Sequence, residues 1–416
     1  MTEKLFTKNF TLLILGQLTS LFGNFILKLA LSMYVLEVTG SAAIFAGILS
    51  AATIPTILLS PLGGILADRA DRRNIMVALD ALTGVSVLCA ALFLSESNAI
   101  AVISTLLIIL SILGAFETPT VQACIPTLLQ GDNIMKGNAV VNQVASLSYL
   151  IAPMLGGVLY AMLGLKPVMY ASVVCFFITA LFECFIKLSY QRIQNQGGVL
   201  QIVKQDFLSS MQYISKEQTS ISKMLLLTAF SRFFAIGVTI VGLPFLVRAV
   251  LGFSARYYGA AESALAVATI LGSIAAGVLA EKLKIHRLSV LLASLGIFIF
   301  PAGIVFLLPV SAILKYGVTV VSLCGMQAVI SIFSIFATSL IQQRTPNHFI
   351  GKVMAYTSTV TLCAQPIGQI VYGFLFDRFR SNIYVVLIPT GIIVCILGLS
   401  AKSFFRNLER EQQELF

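Results

Sequence analysis

The chain has 416 residues, 58% of them apolar and 11% charged, with a mean hydropathy of +0.96 and a formal net charge of +10. A soluble domain carries about 25% charged residues, so this composition excludes a water-soluble enzyme or binding module and places the chain in a bilayer. HExxH, GxxxxGK[ST] and CxxC are all missing from the sequence, so no metal, no nucleotide, no cofactor and no enzymatic activity are expected.

Apolar runs long enough to cross about 30 Å of hydrocarbon predict twelve spanning helices, an all-α membrane protein. The first, 10–36, is too long for a cleavable signal and reads as a true span. It carries Gln17, Asn24 and Lys28. The second, 42–66, leads into Gly64-Ile-Leu66-Ala-Asp68-Arg69-Ala-Asp71-Arg72-Arg73, expected to form the loop before the third helix, 75–94. Gly64 with Ser60 gives a small face for close helix contact, and Asp68 is placed to bond a helix end or Arg72. The fourth helix, 99–121, holds Glu117, and the fifth, 139–163, holds Ala152-Pro153-Met154-Leu155-Gly156-Gly157, where proline and glycine favour a kink and close approach. The sixth, 167–188, ends the first half.

A connection over 189–222 follows. Its spacing of Ile202, Phe207, Met211 and Ile214 suits a short amphipathic helix on the membrane surface. The second half predicts helices at 224–248, 257–281, 288–308, 314–341, 349–375 and 382–402, with Arg232 in the seventh and Glu262 in the eighth. This divides the chain into an N-terminal six-helix lobe (1–188), a linker (189–222), a C-terminal six-helix lobe (223–403) and a tail (404–416).

Charge sets the orientation. Of the 27 Lys and Arg residues, nineteen fall in the termini and the even-to-odd connections and six in the odd-to-even connections; Lys28 and Arg232 lie inside spans. The positive-inside rule then puts both termini in the cytoplasm of a multi-pass inner (plasma) membrane protein. The net charge follows from topology, and nucleic-acid binding is not expected. The halves also repeat: residues 60–69 align with 273–282 at an offset of 213, and Pro153 and Pro366 share that offset. Parallel repeats of this kind suit a two-lobed transporter with a central site.

The 64–73 segment resembles the signature loop of the major facilitator superfamily, and the helix-5 Pro153, Gly156 and Gly157 resemble part of that superfamily's exporter motif. Asp71 in place of a second glycine is similar to the drug and siderophore exporter branch that includes macrolide efflux pumps. The resemblance implies a secondary transporter, exporting hydrophobic or amphiphilic small molecules by alternating access as a monomer, with protons as a candidate coupling ion. It implies a conformational latch at Gly64, Leu66, Asp68, Arg69, Arg72 and Arg73. Siderophore or lysolipid export is the alternative within the family; a channel or scramblase is the alternative outside it. One departure is Leu110, where proton-coupled drug exporters often place an arginine; Glu117 is the strong charge nearby.

A charge at the centre of a span costs about 2.5–3.5 kcal/mol, so each needs an account. Lys28 either snorkels to the outer surface or pairs with Glu262 as an outer gate, the two lying at matched depths of roughly 6–9 Å. Arg232 either contacts substrate or pairs structurally. Glu117 reads as a partner for an interfacial cation, and Asn24 as a cavity-wall amide. No cluster of acids at one depth is visible in the sequence.

Overall fold

The computed structural model describes residues 5–188, 219–279, 282–346 and 350–413. Twelve helices long and apolar enough to cross a membrane follow one another among them. They are α1 (Lys8–Thr39), α2 (Ala42–Arg69), α3 (Arg72–Phe93), α4 (Ala99–Leu128), α5 (Asp132–Leu163), α6 (Leu165–Cys184), α7 (from Thr219–Ile236), α8 (Ala255–Leu279), α9 (Leu288–Ile304), α10 (Ala312–Gln343), α11 (Ile350–Arg378) and α12 (Tyr384–Ser400). α7 runs on to Val250 through π-helical stretches at Gly237–Gly242 and Leu246–Val250. The surface-helix expectation at 202–214 lies outside the described residues.

The connection after α2 is far shorter than the sequence suggests. α2 stays helical through Arg69, so only Ala70 and Asp71 link it to α3. Asp71 is the reason α3 starts at Arg72: its backbone is extended and its carboxylate accepts from the Arg73 N–H at 3.1 Å, an N-cap. A glycine here would not cap as well, which accounts physically for aspartate at this position. Gly164, at φ +79°, ends α5 and starts α6, a left-handed turn that a side chain would strain.

Two compact units emerge. The described part of the first comprises residues 5–39, 48–188 and 253–263. Its core packs α1 against α5 and α6, and α3 against α4 and α6. Phe10, Leu13, Met76, Val121, Cys124, Ile125, Leu129 and Ile186 are buried together at one end. Hydrophobic burial drives little helix association inside lipid, so small residues and hydroxyls do much of the fastening. Ser172 donates to the Gly23 carbonyl at 3.1 Å, Thr19 and Thr179 hydroxyls lie 2.7 Å apart, and Tyr160 donates to Glu37 at 2.8 Å. Between α5 and α8 the backbones themselves touch: a Cβ at Gly259 would stand 2.3 Å from the Pro153 carbonyl oxygen, and one at Gly157 2.5 Å from that of Ala255.

The described part of the second unit comprises residues 40–47, 219–252 and 264–413. α9 packs on α12 and α10, and α7 on α11. The π-helical stretch is where Gly237 and Gly242 lie flat under the rings of Tyr372 and Phe376. The start of α2 belongs to this unit because Asp377, near the end of α11, holds it. Its carboxylate accepts from Ser41 Oγ at 2.5 Å, Ala42 N at 2.6 Å and Ala43 N at 3.0 Å. Residues expected only as a tail form a helix, α13 (Lys402–Gln413), with Phe405 and Leu408 buried. It is clipped at both edges: His286 Nδ1 lies 2.6 Å from Glu409, and Arg344 donates to Glu411 at 2.8 Å and to the Leu408 carbonyl at 2.9 Å.

The exchange of segments between units is reciprocal. Gly40 and Phe253, which open the two exchanged stretches, differ by 213, the offset of the sequence repeat. Leu58, Leu92, Phe93, Val321 and Phe374 are exposed all along the helices, an apolar surface suited to lipid rather than water.

Candidate functional site

α1 supplies the site its backbone. Gln17, Ser20, Leu21, Asn24, Phe25 and Lys28 recur every three or four residues, so they share one face of the helix, and all of them line a cavity of about 380 Å³ within the first unit. Thr56 of α2, Leu110, Ser111, Gly114, Glu117, Thr118 and Gln122 of α4, and Val141, Asn142 and Ala145 of α5 complete it. A volume in this range is typical of small-molecule sites, as is a wall that mixes apolar side chains with a few polar ones.

Lys28 is exposed into this cavity rather than snorkelling to a surface, and its charge acts on Glu117 across it. The two form no direct ion pair, so a ligand or water can stand between them. Asn24 keeps its Oδ1 buried without a hydrogen-bond partner, and Gln17, also lining the cavity, makes no hydrogen bond among the described residues. Unpaired buried amides are costly unless something in the cavity satisfies them.

Among the described residues Lys28 and Glu262 form no ion pair. Glu262 lies beside Tyr258, one turn earlier on α8, and near Tyr149 of α5. Tyr149 packs edge-on to Phe25, with ring centroids 5.5 Å apart. Depth counted along two helices fixes height and leaves azimuth free, so matched depths do not by themselves bring two side chains together. Arg232 makes no hydrogen bond or ion pair among the described residues of the second unit.

Two arginines of the expected latch segment bond backbone carbonyls. Arg72 Nε donates to the Ala67 carbonyl at 2.8 Å, and the Arg73 guanidinium bonds the carbonyl of Cys184, so this segment ties the end of α2 to α3 and α6. Leu66 is exposed; the side chains at Gly64, Asp68 and Arg69 lie outside what is described. The close helix approach expected at Gly64 is made by Gly63, whose Cβ would stand 2.3 Å from the Ala115 carbonyl oxygen on α4. Pro153, Gly156 and Gly157 do lie at a close contact: Gly157 meets α8, and a Cβ on Gly156 would come to 3.1 Å from Ile26 Cα of α1.

One feature overturns the expectation that no acids cluster. Asp80 of α3 and Glu117 of α4 converge on Ser20 of α1, and Glu183 of α6 is buried nearby. Ser20 Oγ lies 3.0 Å from Asp80 Oδ1 and 3.3 Å from Glu117 Oε1. Asp80 and Glu183, each 1% exposed, lie close enough that each acts electrostatically on the other or hydrogen-bonds it. Asp80 Oδ2 and Glu183 Oε2 have no donor. The group adjoins the cavity, because Ser20 and Glu117 also line it.

Known proteins agree with this architecture. The chain matches the Major Facilitator Superfamily over residues 13–368. It is 25% identical over 386 residues to macrolide efflux protein A of Streptococcus pyogenes, covering 92% of each chain. It is 23% identical over 405 residues to the multidrug efflux pump Tap of Mycolicibacterium fortuitum, covering 94% of each. The crystal structure of the nucleoside transporter NupG superposes with a TM-score of 0.71 at 12% identity, covering 96% of this chain and 99% of that one. With the family matched over most of its length and twelve spans of the corresponding fold, the chain belongs to the Major Facilitator Superfamily, a family of secondary transporters and not of enzymes.

Proposed function

We propose that this transporter exports amphiphilic, amine-bearing molecules of the macrolide type from the cytoplasm by alternating access. The observation that carries the reading is the cavity of the first unit, in which Glu117 and Lys28 face each other across unpaired amides and apolar wall. A tertiary amine carried on an apolar body is what such a wall recognises: the carboxylate attracts the cation, Asn24 and Asn142 bond hydroxyls, and Phe25 and Leu110 cover the apolar part. About 380 Å³ accommodates the amino-sugar head of a macrolide. Macrolide and multidrug efflux proteins matching over more than nine-tenths of their length support the same substrate class. A carboxylate-rich siderophore fits less well, since Lys28 would have to bind it against the opposing charge of Glu117.

The outward direction is supported by the efflux proteins the chain resembles. Nineteen of the basic residues lie on the face with the termini, which supports cytoplasmic termini in the cell membrane. The test is expression in a pump-deficient host, with uptake of a radiolabelled macrolide measured against vector alone. Expression should lower steady-state accumulation, and Glu117→Gln and Lys28→Ala should each weaken the effect while leaving the protein in the membrane. Equal accumulation with and without the transporter removes macrolides as substrates. Equal activity in both variants removes the cavity as the site.

A further inference from the structure

We propose that a second cavity, in the second unit at the membrane face away from the termini, holds the phosphate of an anionic phospholipid, whatever molecule the transporter carries.

The cavity measures about 510 Å³ and lies where α7, α9 and α11 end and α10 and α12 begin. Two cations line it, Lys315 of α10 and Arg380 just after α11, and none of its other lining residues is a carboxylate. Cations are scarce on this face: only six stand in the odd-to-even connections, and two of those six meet in one cavity. The positive-inside bias disfavours Lys and Arg there, so their convergence needs an account.

The backbone holds Arg380 in place. Nη1 donates to the Gly40 carbonyl at 3.3 Å and Nη2 to the Ala249 carbonyl at 2.9 Å. A guanidinium presents five N–H donors in a planar fork, so three remain for a ligand. Carbonyls satisfy hydrogen bonds without cancelling the charge. Asp377, one turn earlier, uses both carboxylate oxygens on the start of α2. Lys315 holds its ammonium 5.7 Å from the centroid of the Phe306 ring, another wall of the cavity, and makes no ion pair among the described residues. The ring orients that ammonium and leaves its charge uncompensated. α10 also begins on this wall, at Ala312, and a helix N-terminus carries partial positive charge. The cavity therefore selects an anion. A phosphodiester matches the guanidinium fork with two oxygens and takes the ammonium as a second contact.

The apolar surroundings say where the phosphate comes from. The connection from α9 to α10, residues 305–311, has no charged residue, and its Leu307 and Leu308 are exposed. Ile304 at the end of α9 is exposed as well, as are Ile313 and Leu314 at the start of α10. Exposed apolar side chains grouped in this way mark contact with lipid rather than water. Val250, Val310 and Ile383 make part of the cavity wall apolar, a surface that a glycerolipid covers and free phosphate leaves bare. Net charge separates the lipid classes. A zwitterionic headgroup brings an ammonium of its own, which meets two cations and no carboxylate here. Phosphatidylglycerol brings the phosphate charge and hydroxyls, for which Ser381 on the wall is a partner.

The test is native mass spectrometry of the full-length purified protein with phosphatidylglycerol, phosphatidylethanolamine or water-soluble glycerol 3-phosphate added. Basic residues on the opposite face attract anionic lipid too, so the readout is one tightly held phosphatidylglycerol per protein that depends on Lys315. In Lys315→Gln its affinity should fall roughly fivefold, the contribution of one basic residue near an anionic headgroup. Lys315→Arg keeps the charge and should keep the lipid. Arg378→Gln, a cation on the same face that does not line the cavity, should leave binding as in the wild type. Phosphatidylglycerol should also raise the melting temperature of the wild type more than that of Lys315→Gln. Equal phosphatidylglycerol binding in Lys315→Gln and the wild type overturns the proposal, as does a wild type that holds phosphatidylethanolamine equally well. Displacement of the lipid by an equal concentration of glycerol 3-phosphate overturns it too, since the site would then belong to a soluble anion.

Discussion

A single methyl group should part α5 from α8. At Gly259 an added Cβ would lie 2.3 Å from the Pro153 carbonyl oxygen, against an ordinary contact distance of 3.4 Å or more. Gly259→Ala therefore demands about 1 Å of separation between two helices whose backbones touch, and overpacking of this kind costs about 1–3 kcal/mol. Gly157→Ala meets the Ala255 carbonyl at 2.5 Å across the same contact and demands nearly as much. Once the helices have moved for one methyl, the other enters with little further displacement. The double variant should therefore lose less stability than the two singles added together, a coupling expected of neighbours that share one interface. Gly317→Ala on α10 is the control, since nothing lies within 4 Å of its added Cβ, and alanine is about 1 kcal/mol better than glycine in a helix. The assay is the temperature at which the detergent-solubilised protein leaves the monodisperse peak in size-exclusion chromatography after heating. Gly259→Ala and Gly157→Ala should each lower it by a few degrees and Gly317→Ala should hold or raise it. Unchanged melting in Gly259→Ala, or strict additivity in the double variant, would refute the claim that the α5–α8 contact is set by backbone approach.

Asp377→Ala removes three acceptor contacts from the start of α2 and should lower thermal stability by about 1–2 kcal/mol, with Asp377→Asn falling between it and wild type in the same melt. Glu409→Ala combined with Arg344→Ala undoes both clips on α13, and limited proteolysis should then cut residues 402–413 faster, with the twelve spans unaffected. Reporter fusions after Phe416 and within 189–222 should both be cytoplasmic; an external position for either overturns the orientation drawn from the nineteen-to-six charge bias. Swapping the cavity charges, Lys28→Glu with Glu117→Lys, should recover more macrolide export than either single change; recovery with Glu262 in place of Glu117 would favour the outer gate instead.

What the sequence made legible was whatever a single helix decides. Twelve apolar runs gave twelve spans because run length against bilayer thickness is a local property. The cavity face of α1 was readable too. Gln17, Asn24 and Lys28 sit at spacings of seven and four, and such spacings put polar groups on one face whatever the helix packs against. Asp71 also carried its meaning locally, as an N-cap residue ahead of an apolar run, although reading it as part of a loop hid that and set the start of α3 three residues late. The cluster of Ser20, Asp80, Glu117 and Glu183 depends on azimuth across four helices, which no periodicity within one of them encodes. Asp80 and Glu183 each stand alone in apolar runs, 37 and 66 positions from Glu117, so nothing in the spacing joins them. One local signal was present. Asp80 has Met76, Val77, Thr83 and Gly84 at its three- and four-residue neighbours, so no base within a turn on its own helix stands beside it. An acid placed mid-span without such a base must find a partner on another helix, and in this protein Ser20 of α1 is that partner.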